Sequence, residues 1–194
     1  MNTGQDTNTP LNTATRRIRQ VLAGSPVQED AGHAENTVVW LRRLDPNANE
    51  AQCLAALAHD IERARPDRLR REEFSDYDDF KRRHAFISAE ITDQILVDAG
   101  ISNTIRCQVW PQICRHEHGG DVLSDLLKDA DSLSYFDHNL PFYFAREGWD
   151  ETLRRARWGY ARLSERARQH YAQIRPASPV LRHLLREAQE INHG

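Results

Sequence analysis

From Thr15 onward, apolar residues recur at three- and four-residue intervals, and the strict alternation that marks strands is almost absent. The pattern predicts a helix over 15–23 that stops at Gly24-Ser25-Pro26, and a second over 30–44 with Val38, Leu41 and Leu44 on one face. A third begins at Asn49, a good N-cap, carries Leu54, Leu57, Ala58 and Ile61, and ends before Pro66, because proline disfavours helical geometry in the residue before it. The charged stretch 65–77 reads as a solvated loop. A fourth helix over 78–99 carries Phe80, Ile87, Ile91, Ile95 and Leu96 and closes at Gly100. A fifth covers 102–117, with Pro111 expected to kink or break it. Gly119-Gly120 turns the chain into a sixth over 122–136. After a loop around Asn139-Leu140-Pro141 come helices over 151–173 and 179–191. Residues 1–12 are polar and rich in Asn and Thr, which predicts a disordered tail ahead of a domain over 13–194. The expected fold is an all-α, single-domain helical bundle.

Composition narrows the classes. A chain of 194 residues is sized for one core. The longest apolar run is Cys53 to Ala58 and mean hydropathy is -0.73, so no transmembrane helix is expected. The opening stretch MNTGQDTNTPLNTATRR has no apolar signal-peptide core, which points to a cytoplasmic protein. With 26 Lys+Arg against 29 Asp+Glu the net charge is -3, giving no overall basic footprint for nucleic acid or a membrane. The basic residues divide into 24 Arg and 2 Lys. Arginine suits bidentate recognition of phosphate and carboxylate, although a compositional habit explains the count as well. Cys53, Cys107 and Cys114 form no CxxC and read as reduced, buried residues.

Nine histidines are the other notable count, since imidazole is a common metal ligand and general base. The most informative dipeptide is His59-Asp60, near the C-terminal end of the apolar helix CLAALAHDIERA. Neighbours on a helix diverge by about 100°, so both face one pocket only where the helix ends. There they offer an imidazole and a carboxylate to one borderline divalent cation. His33 lies 26 residues earlier on the preceding helix, a spacing that suits antiparallel neighbours. Asp131, in LLKDADSLSYF, places an acid on an apolar helix. Two further histidines, His84 in DFKRRHAFISAEI and His116 in ICRHEHGG, fit a second ion that Asp60 would bridge.

In that order, His33, His59-Asp60 and Asp131 resemble the H…HD…D signature of the HD-domain superfamily of metal-dependent phosphohydrolases, over about residues 16–190. HDIERA, RRHAFISAEI, RHEHGG and LLKDADSLSYF look like successive blocks of small bacterial HD proteins. With His84 and His116 the set is similar to the H…HD…H…H…D arrangement of members with two metals. The resemblance implies that His33, His59, Asp60 and Asp131 hold one ion and that Asp60, His84 and His116 hold the other. His118 is the alternative second-site ligand or a phosphate donor. Many two-metal members carry HDIGK, whose lysine contacts phosphate; Arg63 stands at the matching position and keeps the charge but not the geometry. The chain lacks the GYP element of cyclic-dinucleotide phosphodiesterases, which points away from that substrate.

The implied activity is hydrolysis of a phosphate ester of a nucleotide or other small phosphorylated metabolite, with one or two divalent ions (Mn, Fe, Co, Mg or Ni) activating water. Arg63, Arg82, Arg83 and Arg115 are candidates for gripping phosphate, and Asp60 or Glu117 for acid–base work. Glu29 reads as an outer partner of His33 or a solvated acid, Asp129 as an exposed or outer acid, and His138, His170, His183 and His193 fall outside the pattern. Trp110, Trp149 and Trp158 read as packing residues. The sequence leaves a homodimer open and predicts no nucleic-acid or membrane partner. Two other readings share the ligand set: an HD-fold di-iron oxygenase, and a catalytically silent metal-binding regulatory module.

Overall fold

Residues 9–190 are described by this computed structural model; they are helical, with no strand among them. Helix α1 (Pro10–Ala23) starts where the Thr9 hydroxyl accepts from the Asn12 amide at 3.2 Å, with Pro10 in a first-turn position that needs no N–H. Its Ala14, Ile18 and Leu22 are buried and it packs on α4 (Tyr77–Asp98). This cap corrects the expected tail, since residues 10–12 are helical. The remainder of that expectation, over residues 1–8, lies outside the described residues, as do Ile191 and His193.

Helix α2 (Asp30–Leu44) buries His33, Thr37, Trp40, Leu41 and Leu44 and packs against α3 (Glu50–Ala58) and α6 (Val122–Ser134). Helix α3 (Glu50–Ala58) opens on a capping box in which Asn49 and Gln52 exchange side-chain to backbone bonds of 3.0 Å each. Apart from Cys53, every residue from Ala51 to Ala58 is buried, which makes α3 the central helix. Instead of continuing toward Pro66, it ends at Ala58. His59 and Asp60 then lie in a turn that leads into a tighter 3-10 segment, Ile61–Ala64. Leaving the α-helix frees the two side chains from diverging by about 100°.

Helix α4 packs along α5 (Asn103–Arg115), which runs unbroken through Pro111. The expected break is absent. The Gln112 side-chain amide donates to Gln108 O at 2.7 Å, within the turn where proline removes a backbone donor. Helix α6 (Val122–Ser134) is capped by Asp121, whose carboxylate accepts from the Leu123 and Ser124 amides. No loop follows. A wider π turn, Tyr135–Asn139, feeds straight into α7 (Leu140–Arg162), where Pro141 occupies a first-turn position. Within α7, Gly148 takes φ 75 and ψ -170, a region open essentially to glycine alone, and the helix changes course there.

The expected helix over 151–173 is interrupted at Leu163-Ser164, because Ser164 caps α8 (Glu165–Tyr171). Asp129 fastens this corner: buried, it accepts from the Ser164 amide at 3.0 Å and the Ser164 hydroxyl at 2.5 Å. It is therefore not an outer acid of the candidate site. Helix α9 (Pro179–Gln189) closes the described chain against α7, and the buried Tyr171 hydroxyl donates to Leu185 O at 2.9 Å. Cys107 is exposed and Cys53 and Cys114 are half-buried, all three free, contrary to the buried placement expected for them. Among the described residues no helix is long and apolar enough to cross a membrane.

Candidate metal centre

Four helices and the turn after α3 bring four imidazoles and two carboxylates together. His33 comes from α2, His59 and Asp60 from the end of α3, His84 from α4, His116 from the end of α5 and Asp131 from α6. All four histidines are buried. Two groups have ligand atoms mutually within 4.8 Å: His33, His59 and Asp60, and Asp60, His84 and His116. Asp131 joins the first group, with Oδ1 3.1 Å from His33 Nε2 and 3.5 Å from His59 Nε2.

Asp60 is divided between the groups. Its Oδ2 lies 3.8 Å from His59 Nε2, while its Oδ1 lies 2.8 Å from His84 Nε2 and 3.5 Å from His116 Nε2. Two ligands each about 2.1 Å from a cation stand roughly 3.0–3.5 Å apart in octahedral or tetrahedral geometry. Most separations here match that spacing, and several are too long for direct hydrogen bonds.

The outward-facing ring nitrogens decide which atoms are free. His59 Nδ1 donates to Ala56 O at 2.9 Å and His116 Nδ1 to Ile113 O at 2.8 Å. His33 Nδ1 meets Ser134 Oγ at 2.9 Å, and that hydroxyl donates to His33 O at 3.1 Å. His84 Nδ1 is held 2.7 Å from Glu62 Oε2. With Nδ1 engaged in every case, the Nε2 lone pairs point at the centre, as in metal-ligating histidines. His59 Nε2 is buried with no hydrogen-bond partner among the described residues, an orphan that a cation would satisfy.

The electrostatics favour positive charge at the centre. Burial opposes protonation of His59, but Asp60 and Asp131 outweigh it and its pKa is pushed up to about 9. His84 is likewise pushed up to about 9, burial being outweighed by Asp60 and Glu62. Conversely, the histidines overcome burial to hold Asp60 and Asp131 well below the usual carboxylate range. Cationic partners surround the cluster. Arg63 contacts the buried Asp30 at 3.1 Å and Asp60 Oδ2 at 3.2 Å. Glu117 stands 3.9 Å from His116 Nε2, 3.3 Å from Lys81 and 3.6 Å from Arg162; His116, Lys81 and Arg162 outweigh its burial and lower its pKa.

A cavity of about 320 Å³ opens over this cluster, reaching His33, Asp60, His84, Glu117 and Asp131.

A family model described as "Domain of unknown function (DUF4202)" matches residues 12–185, a span that contains all six ligand candidates. The chain belongs to the DUF4202 family. No curated protein and no solved structure matches it.

This DUF4202 chain thus gathers His33, His59, Asp60, His84, His116 and Asp131 as the sequence pattern anticipates, with Arg63 and Glu117 at the same cavity. It does not bring in Arg82, Arg83, Arg115 or His118. All four are exposed and none lines the cavity. Arg82 pairs with Asp79 and Asp76, Arg115 with Asp121, and Arg83 lies over the Phe86 ring. Residues beside a ligand on a helix point about 100° away from it, which is why proximity in sequence failed here. Arg63 is committed to two carboxylates rather than standing free. Glu29 is buried but its carboxylate pairs with Arg146 at 2.7 Å.

Sequence reasoning missed Glu62, Lys81, Tyr135, Asn139, Arg155 and Trp158. Glu62 carries a readable signal, an acid two residues after Asp60, behind the apolar Ile61. Lys81 carries a weaker one, as one of two lysines in an arginine-rich chain. Trp158, expected as packing, is 39% exposed and lines the cavity.

Proposed function

We propose that this DUF4202 chain is a metal-dependent phosphohydrolase of the HD type, cleaving a phosphate ester of a nucleotide or another small phosphorylated metabolite. The observation that carries the reading is Asp60, whose two oxygens face two separate histidine groups on the floor of one cavity. His33, His59, Asp60 and Asp131 would hold one divalent cation, and Asp60, His84 and His116 a second. When bound, two such ions supply Lewis acidity that both activates water and neutralises phosphoryl oxygens.

The chain's own residues complete the chemistry. Glu117, kept ionised by His116, Lys81 and Arg162, would accept a proton from the attacking water. Arg63 bonds Asp60 Oδ2 and restrains that carboxylate in its divided orientation. Arg162, donating to Glu117 O at 2.7 Å and lining the cavity, adds fixed positive charge where phosphoryl charge builds up. The cavity is at the small end of the roughly 300–1,000 Å³ typical of ligand pockets, which suits a small molecule.

Elemental analysis combined with a nucleotide and sugar-phosphate panel tests this reading. Manganese-, cobalt- or magnesium-stimulated release of phosphate that Asp60→Ala abolishes supports it. A purified protein that contains iron and consumes oxygen instead assigns the site to oxygenase chemistry.

A further inference from the structure

The charges lining the cavity do not pair off completely. Its carboxylates Asp60, Glu62, Glu117 and Asp131 are all engaged by the histidines, Lys81, Arg63 or Arg162. Two lining arginines, Arg68 and Arg155, have no carboxylate within ion-pair distance among the described residues. Arg155 sits instead over the rings of Tyr135 at 5.2 Å, Tyr143 at 5.4 Å and Trp158 at 5.9 Å. Glu151, whose field reaches Arg155, is itself bonded to Arg154 and Tyr143. Aromatic faces hold a guanidinium in place without neutralising it, and the polar groups beside it, the Tyr77 and Tyr135 hydroxyls, are neutral, so its charge is left for a planar anion.

Two further polar atoms in the same wall make no hydrogen bond among the described residues. Tyr135 Oη and Asn139 Oδ1 are buried without a hydrogen bond, and both residues line the cavity. They are the first and last residues of the π turn that follows Asp131, so the wide turn carries the chain from a ligand candidate into this wall. Such turns recur at functional positions, and buried polar groups without partners are costly unless a ligand or water meets them. Beyond Tyr77, Arg155 and Trp158 the concavity continues outward past Arg71 and Arg154, a basic approach for an anion.

We infer that Arg155, with Arg68, Tyr135 and Asn139, forms a second anion subsite beside the proposed metal pair, so that the substrate is a small phosphate ester bearing a second anionic group, carboxylate or phosphate, on its organic part. The inference rests on the phosphohydrolase reading for the position of the first phosphate. Arg155 supplies the bidentate contact, Tyr135 O–H donates to an anion oxygen, and Asn139 Oδ1 accepts from a substrate hydroxyl.

The test uses the full chain loaded with manganese and stable phosphonates, read by titration calorimetry. Butylphosphonate carries one anionic group, 4-phosphonobutyrate adds a carboxylate, and propane-1,3-bisphosphonate adds a second phosphonate. Expected is about tenfold tighter binding of one of the doubly charged probes than of butylphosphonate, the size of one charge-assisted contact. The tighter one identifies the second group. Arg155→Gln brings that ratio to about one, and Arg68→Gln, in the loop after the Ile61–Ala64 turn, lowers it independently. No preference in the wild-type chain, or a preference that survives in a folded Arg155→Gln, overturns the subsite. Repeating the titrations with EDTA separates the two readings. If butylphosphonate binding is unchanged by EDTA while the Arg155-dependent preference persists, the metal reading fails and the subsite stands.

Discussion

Glu62→Gln isolates the outer support of the second ligand group. Glu62 is 2% exposed and its two oxygens each meet a donor, His84 Nδ1 at 2.7 Å and the Leu69 amide at 2.5 Å. Glutamine has the same shape but offers one acceptor and one NH2, so it serves only one of those donors. If its oxygen keeps Leu69, the NH2 faces His84 and drives the ring toward the tautomer with the proton on Nε2, the atom needed at the centre. If its oxygen keeps His84, the Leu69 N–H is left without a partner and the loop after Ala64 loosens. Losing an outer partner of a ligating histidine costs about 10- to 100-fold in metal affinity, or roughly 1.4–2.7 kcal/mol. The expected result, from competition titration against a chromophoric chelator, is a second ion weakened by that factor and a first ion bound as in the wild type. Circular dichroism should show unchanged helix content. Wild-type affinity for both ions in Glu62→Gln would refute the reasoning.

Gly148→Ala places a Cβ in a backbone region open essentially to glycine, at about 1–3 kcal/mol, and lowers the melting temperature by several degrees; an unchanged melting curve counts against the strain. Asp129→Ala removes both bonds to Ser164 and destabilises the chain by about 1–3 kcal/mol in urea unfolding, with metal content intact. Loss of metal in a folded Asp129→Ala would place that acid at the centre after all. In EDTA-treated protein, His59 and His84 titrate near 9 rather than near 6.5, so their contribution to stability is complete below pH 6.5 and disappears as pH rises through 9. Urea midpoints should fall over that window, while metal affinity, which requires deprotonated imidazole, rises across it. Midpoints that climb with pH contradict the arrangement.

The helical fold and the convergence of the six candidate ligands were legible because they rest on periodicity and on a dipeptide at a helix end. His59-Asp60 is informative for a local reason, since α3 stops at Ala58 and the pair need not obey helical divergence. Less legible was anything set by how one helix enters the next. Asn139-Leu140-Pro141 has the composition of a loop, yet proline is as compatible with the first turn of a helix, and here it sits in one. Arg155 lies in the run RRARW, indistinguishable from a solvated face by pattern alone. The kink at Gly148 and the rings of Tyr135, Tyr143 and Trp158 give it a cavity wall instead. Arg82, Arg83 and Arg115 fail for the converse reason, because adjacency in sequence to His84 and His116 carries them onto the outer faces of their helices.

Metal stoichiometry in the wild-type chain and His84→Ala, measured by elemental analysis on the same samples assayed against phosphate esters, tests the central claim most directly. The account predicts two divalent ions per chain in the wild type, one in His84→Ala, and phosphatase activity that falls with the missing ion. A wild-type chain with no stoichiometric metal, or equal ion counts in both proteins, contradicts it.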